Sequence, residues 1–106
     1  MSNTETMTVE KRLSRRAKIA RMLRVRPSDP DNEHFEEILA STNVSTHGIY
    51  FHTHRSDYHK SMRLFITFPF TFEQDPMKCE YLAEVVRVEK LADDRTGVAV
   101  RLIMTV

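Results

Sequence analysis

The chain has 106 residues, of which 41% are hydrophobic and 29% are charged, as is typical of one folded domain rather than a disordered chain. Cys79 is the only cysteine, which excludes an internal disulfide and fits the reducing cytoplasm in which we expect the protein. No apolar run is long enough to span a bilayer, and the first eleven residues lack the apolar core of a signal peptide.

Charge is distributed unevenly along the chain, although the net charge is only +1. Residues 1–26 contain eight lysines and arginines against two glutamates, a net charge of +6, whereas the rest of the chain has a net charge of −5. This asymmetry indicates an anionic partner for the N-terminal segment or a contact with the acidic part of the chain itself. A basic tail that is simply solvated remains the alternative.

The N-terminal segment permits two interpretations. Residues 1–8 are polar, and we expect them to be disordered. From Val9 onward the apolar residues fall near helical spacing, which is typical of a basic amphipathic helix. The stretch 18–26 also alternates as a strand, with Leu23 and Val25 on one face. Periodicity does not decide between the helix and an extended arm followed by a strand.

The remainder of the sequence predicts β-structure. A turn is expected at Pro27–Glu33, and a β-prone run follows it and ends near Asn43. Alternating apolar residues then occur in runs at 48–53, 62–70, 79–91 and 96–103, separated by short breaks that are rich in charged or turn-forming residues. Five or six strands at this spacing predict a small all-β domain, either an antiparallel barrel or a sandwich.

Two short motifs provide the binding chemistry. Arg12 and Arg16 form R-x-x-x-R, and a guanidinium offers a planar set of donors suited to phosphate oxygens and the guanine O6/N7 edge. Asn43, Ser45 and Gly48 form N-x-S-x-x-G at a strand end. Asn43 and Ser45 present an acceptor and a hydroxyl, while Gly48 permits either a positive φ or a close backbone approach.

The order of these motifs resembles the signature of the PilZ domain family, receptors for cyclic di-GMP, over residues 9–104. The resemblance implies a six-stranded antiparallel β-barrel at 18–104, preceded by a flexible basic arm at 9–17, in a single domain at 9–106. It also implies that Arg12 and Arg16 contact phosphates and guanine, that Asn43 and Ser45 bind guanine and phosphate, and that Gly48 shapes the turn. The first motif position is often Asp in the family, and the amide of Asn43 here has one acceptor oxygen and no charge.

Two further cations in the arm lie beside the first motif. Lys11 immediately precedes Arg12, and Arg15 lies inside the motif. PilZ domains bind cyclic di-GMP as one molecule or as an intercalated pair. The additional charge at Lys11 and Arg15 favours the pair, because a second ligand molecule brings two more phosphates into the site.

The resemblance implies a non-enzymatic receptor that changes its arm conformation on binding cyclic di-GMP and signals to a protein partner. The alternatives are a small nucleic-acid-binding barrel that uses its basic arm on phosphates, and an adaptor that binds only protein. No cofactor is expected. His52, His54 and His59, with Asp57 as a possible further ligand, make only a weak case for a metal, so no metal site is predicted.

Overall fold

Six antiparallel strands close into a barrel in the computed structural model, which describes residues 21–29, 35–71 and 79–106. The strands are β1 (Met22–Pro27), β2 (Glu37–Val44), β3 (Gly48–Thr53), β4 (Arg63–Phe68), β5 (Cys79–Lys90) and β6 (Thr96–Thr105). Their order around the barrel is β1-β2-β3-β6-β5-β4, and pairing between β1 and β4 closes it. The predicted six-stranded antiparallel barrel is therefore confirmed. Within the described ranges there is no helix long and apolar enough to cross a membrane.

Alternation along the strands fills the inside of the barrel with apolar side chains. Leu64 and Ile66 of β4 are fully buried, as the period-two pattern predicts. Val100 of β6 pairs with Ile49 of β3 and with Val85 of β5, so three aliphatic residues form one row of the core. Phe51 is among the largest fully buried side chains and anchors β3 in this core.

For part of the N-terminal segment, the structure decides between the helix and the strand. Leu23 and Val25 are fully buried in β1, so residues 22–27 follow the strand interpretation. The predictions for residues 1–8, for the arm at 9–17 and for a helix before residue 21 lie outside the described residues. The predicted turn is described as far as Asp29, and the short break at 92–95 is a turn in which Asp93 and Asp94 have positive φ.

The barrel has two different ends. At one end, which we call the motif end, β2 passes into β3 through the turn that contains the second motif. At the opposite end, the carboxylate of Glu37 accepts hydrogen bonds from Tyr58 at 2.8 Å and from Thr53 at 2.9 Å. The Tyr58 ring packs edge-on against Phe51, with 5.6 Å between centroids, and so covers the core.

Candidate ligand-binding site

The turn between β2 and β3 is held by hydrogen bonds within the second motif. The backbone N–H of Ser45 donates to the carbonyl of Gly48 at 2.9 Å. The Ser45 hydroxyl also accepts a long hydrogen bond of 3.4 Å from the backbone N–H of His47. The motif therefore builds a compact turn whose Asn43 and Ser45 side chains remain exposed to solvent.

A β-bulge directs Asn43 outward. Ser41 pairs with Phe51, but the next registered pair is Asn43 with Tyr50, which leaves Thr42 as the extra residue. Strict alternation would have given residue 43 the same face as the buried Ser41. Because of the bulge, Asn43 instead shares the outer face with Tyr50. Nothing in the local sequence reveals this bulge, since it depends on the pairing with β3.

Gly48 is required by a close approach between strands. Its φ is not positive, so the first of the two expected reasons for a glycine is wrong. A Cβ placed on Gly48 would lie 2.6 Å from the carbonyl oxygen of Val100, which is shorter than any ordinary contact. The second expected reason, close backbone approach, is therefore the one that operates here.

A surface pocket of about 220 Å³ lies against this turn. Its lining includes the three residues of the second motif together with Tyr50 and Ala99. The structure thus brings Asn43, Ser45 and Gly48 together around one cavity. The other four predicted site residues, Lys11, Arg12, Arg15 and Arg16, lie outside the described residues.

Tyr50 forms a wall of the pocket that was not predicted. Its hydroxyl donates a hydrogen bond of 2.5 Å to the carboxylate of Glu89. Burial and this hydrogen bond raise the pKa of the Tyr50 phenol above its ordinary value. The guanidinium of Arg87 lies 5.8 Å from the ring centroid. Tyr50 follows Gly48 by two residues and so shares its strand face, a spacing from which the sequence could have indicated the wall.

The N-terminal segment joins the barrel beside this pocket. Arg21 and Ser41 exchange two hydrogen bonds: the N–H of Ser41 donates to the carbonyl of Arg21 at 2.8 Å, and the N–H of Arg21 donates to the Ser41 hydroxyl at 3.3 Å. Ser41 precedes Asn43 by only two residues. Residue 21 is therefore fixed at the motif end, next to the second motif.

Two of the residues considered as metal ligands, His52 and Asp57, contact arginines instead. His52 contacts Arg95, with 3.3 Å between Nδ1 and Nη1, and Asp57 forms an ion pair with Arg55 at 2.6 Å. The pKa of Asp57 is lowered, chiefly by its hydrogen bond from Arg55. Within the described ranges no group of three potential ligands could hold a metal ion.

Comparison with known proteins shows the fold. No protein-family model matches the sequence, and no curated protein matches it. Among solved structures, the chain is similar to the Bacillus subtilis inhibitor of motility MotI/DgrA, with a TM-score of 0.60 and 19% identity. The match covers 86% of this chain and 42% of that one, so this chain spans less than half of its length. MotI/DgrA is a PilZ-domain protein, and the likeness supports a PilZ-like fold for this chain.

Proposed function

We propose that the chain is a receptor for cyclic di-GMP, which it binds at the motif end of the barrel, and that it signals to a protein partner without catalysing a reaction. The observation that carries this proposal is the pocket beside Asn43, Ser45 and Gly48, next to the point where the N-terminal segment joins the barrel. The PilZ-like fold of the barrel gives independent support.

The chemistry of the pocket suits a guanine nucleotide. The Asn43 amide can accept from a guanine N–H and donate to a ring acceptor, and the Ser45 hydroxyl can donate to a phosphate oxygen. Neither side chain carries a charge, so the phosphates of the ligand need cations from elsewhere. Arg12 and Arg16 supply those cations in the proposed site, because their guanidinium groups can contact both phosphate and guanine.

Covalent geometry allows the two motifs to meet. Arg16 precedes Arg21 by five residues, so its Cα lies within about 18 Å of the Cα of Arg21, whatever path the chain takes. Arg21 is hydrogen-bonded to Ser41 beside the pocket. An arginine side chain adds further reach, so both arm arginines can approach a ligand that contacts Asn43 and Ser45.

Isothermal titration of the full chain with cyclic di-GMP tests the proposal, with cyclic di-AMP and a single-stranded oligonucleotide as comparison ligands. We expect saturable binding of cyclic di-GMP, much weaker binding of cyclic di-AMP, and little binding of the oligonucleotide at about 150 mM salt. Chromatography of the ligand after incubation should recover it unchanged. Preferential binding of the oligonucleotide would instead establish the nucleic-acid-binding alternative, and no binding of any of the three would favour the protein-only adaptor.

A further inference from the structure

The pocket continues onto the outer face of the barrel. Asn43, Tyr50, Ala99 and Arg87 are consecutive register partners across β2, β3, β6 and β5, so their side chains form one row on that face. The adjacent outer row contains Gly48, Arg101 and Glu84, again as register partners. Side chains of directly paired residues are close neighbours. Each row therefore begins at a residue of the second motif and leads to an arginine.

A small residue is the register partner of each of these arginines. Gly48 has no side chain and Ala99 has only a methyl group, and both line the pocket. Arg87 is the register partner of Ala99, and its guanidinium lies 5.8 Å from the centroid of the Tyr50 ring, which lies across β6. The side chains of Arg87 and Arg101 are 62% and 55% exposed, and their register partners Ala99 and Gly48 belong to the pocket lining.

We propose that Arg87 and Arg101 are additional ligand-binding residues, which hold the side of the nucleotide that faces away from the turn of the second motif. This inference rests on the proposed function. A cyclic dinucleotide carries two phosphodiester groups on opposite sides of its ring. A ligand whose first phosphate faces Ser45 can therefore extend its second phosphate and a guanine over the strand face, where these guanidinium groups lie.

Two carboxylates compete with the ligand for these arginines. Arg101 donates to the carboxylate of Glu84 at 2.7 Å, whereas the Nε of Arg87 lies 3.7 Å from that of Glu89. A phosphate that binds Arg101 must replace Glu84, or share the guanidinium with it. Removing the charge of Glu84 should consequently strengthen ligand binding, an effect opposite in sign to that of removing either arginine.

The test is a titration of cyclic di-GMP into the wild-type chain and into Arg87→Gln, Arg101→Gln and Glu84→Gln. Two matched controls change the same charges elsewhere on the outer face. The first control is Arg63→Gln, because Arg63 lies in the same row as Arg101 but on β4, beyond Glu84. Glu80→Gln removes a carboxylate of β5 that pairs with Arg26 at 2.7 Å, away from the pocket. Thermal unfolding of each variant verifies that the barrel is retained.

We expect each of the two arginine variants to bind about tenfold more weakly, Glu84→Gln to bind several-fold more tightly, and both controls to stay within about twofold of wild type. If wild type binds while Arg87→Gln and Arg101→Gln match Arg63→Gln, the added contacts are refuted and the proposed function stands. If wild type does not bind cyclic di-GMP, the proposed function and this inference both fail.

Discussion

The ring of Tyr50 on β3 lies over Gly97 of β6, a diagonal neighbour in the sheet, so closely that no side chain fits at position 97. A Cβ placed on Gly97 would lie 2.8 Å from the Cζ atom of Tyr50 and 3.1 Å from the Cγ atom of Glu89. The missing side chain lets the phenol lie across β6 and reach the Glu89 carboxylate. One glycine outside both motifs therefore fixes a wall of the pocket.

Gly97→Ala should displace the Tyr50 ring and break its hydrogen bond to Glu89. We expect a loss of about 1–3 kcal/mol in the free energy of unfolding, as for other overpacked positions. Urea unfolding measures it, and a double-mutant cycle gives the control. In a Tyr50→Ala background, Gly97→Ala should lower the free energy of unfolding much less, because the remaining neighbour, Glu89, is a flexible side chain. Equal costs in both backgrounds would contradict this account.

Gly48→Ala should behave differently, because its obstacle is backbone. The new Cβ would lie 2.6 Å from the carbonyl oxygen of Val100, and no side-chain rotation relieves that contact. We expect β3 and β6 to separate locally, at a cost of roughly 1–3 kcal/mol. This cost should persist when Tyr50 is changed to Ala. Amide hydrogen exchange should be faster along the β3–β6 pairing, and unchanged exchange there would count against the steric explanation.

Ionisation of Tyr58 should make the barrel less stable at alkaline pH. Burial, with the nearby Glu37 charge, raises the pKa of the Tyr58 phenol above its ordinary value. The folded state therefore favours the neutral phenol. Its contribution to the free energy of unfolding is fully present below pH about 10 and is lost as the pH rises above that value. In urea unfolding across about pH 8–11, Tyr58→Phe should flatten the alkaline decrease in stability.

The same variant separates the hydrogen bond from the ring packing. At about pH 8, Tyr58→Phe keeps the ring but removes the donor to Glu37, and about 1–2 kcal/mol of stability should be lost. Tyr50 and Tyr81 also have raised phenol pKa values, so their Phe variants are the controls for the alkaline slope. An alkaline slope in Tyr58→Phe as steep as in wild type would exclude Tyr58 as its source.

The sequence predicted the framework of the barrel better than the surroundings of the pocket. Leu64 with Ile66, and Val98 with Val100, are buried as their alternation indicates, because period two is a local property of a strand. The spacing from Gly48 indicates the strand face of Tyr50, but the outward turn of Asn43 and the path of the Tyr50 ring across β6 depend on pairing between strands. A bulge on β2 and a missing side chain on β6 set that arrangement, and neither follows from the sequence near the motif.

In the proposed site, Arg16 makes a charge-assisted contact with the ligand. Arg16→Ala should weaken binding of cyclic di-GMP about tenfold or more, since a bidentate guanidinium–guanine contact is worth roughly 1–3 kcal/mol. Arg12→Ala should have a similar effect. Titration calorimetry measures both, with Arg63→Ala as a control for the loss of one positive charge. Wild-type affinity in both arm variants would show that the first motif is not part of the site.

The additional cations of the arm lead us to expect two ligand molecules per chain. Titration at high protein concentration should saturate near two equivalents of cyclic di-GMP. Lys11→Ala should lower the stoichiometry or the affinity, and more strongly at low salt, because salt screens exposed charges. Saturation at one equivalent, unchanged in Lys11→Ala, would remove the intercalated pair and leave a single ligand.

The hydrogen bonds between Arg21 and Ser41 have a consequence for the entropy of binding. They fix Arg21 to the barrel, and five residues of covalent chain keep the Cα of Arg16 within about 18 Å of the Cα of Arg21. One group confined to a sphere of that radius has an effective concentration on the order of tens of millimolar at the pocket. Contact between the arm and a bound ligand is then an intramolecular step. A few residues inserted between Arg16 and Arg21 should lower this effective concentration by about two- to fourfold, whereas cutting the chain there should abolish the advantage.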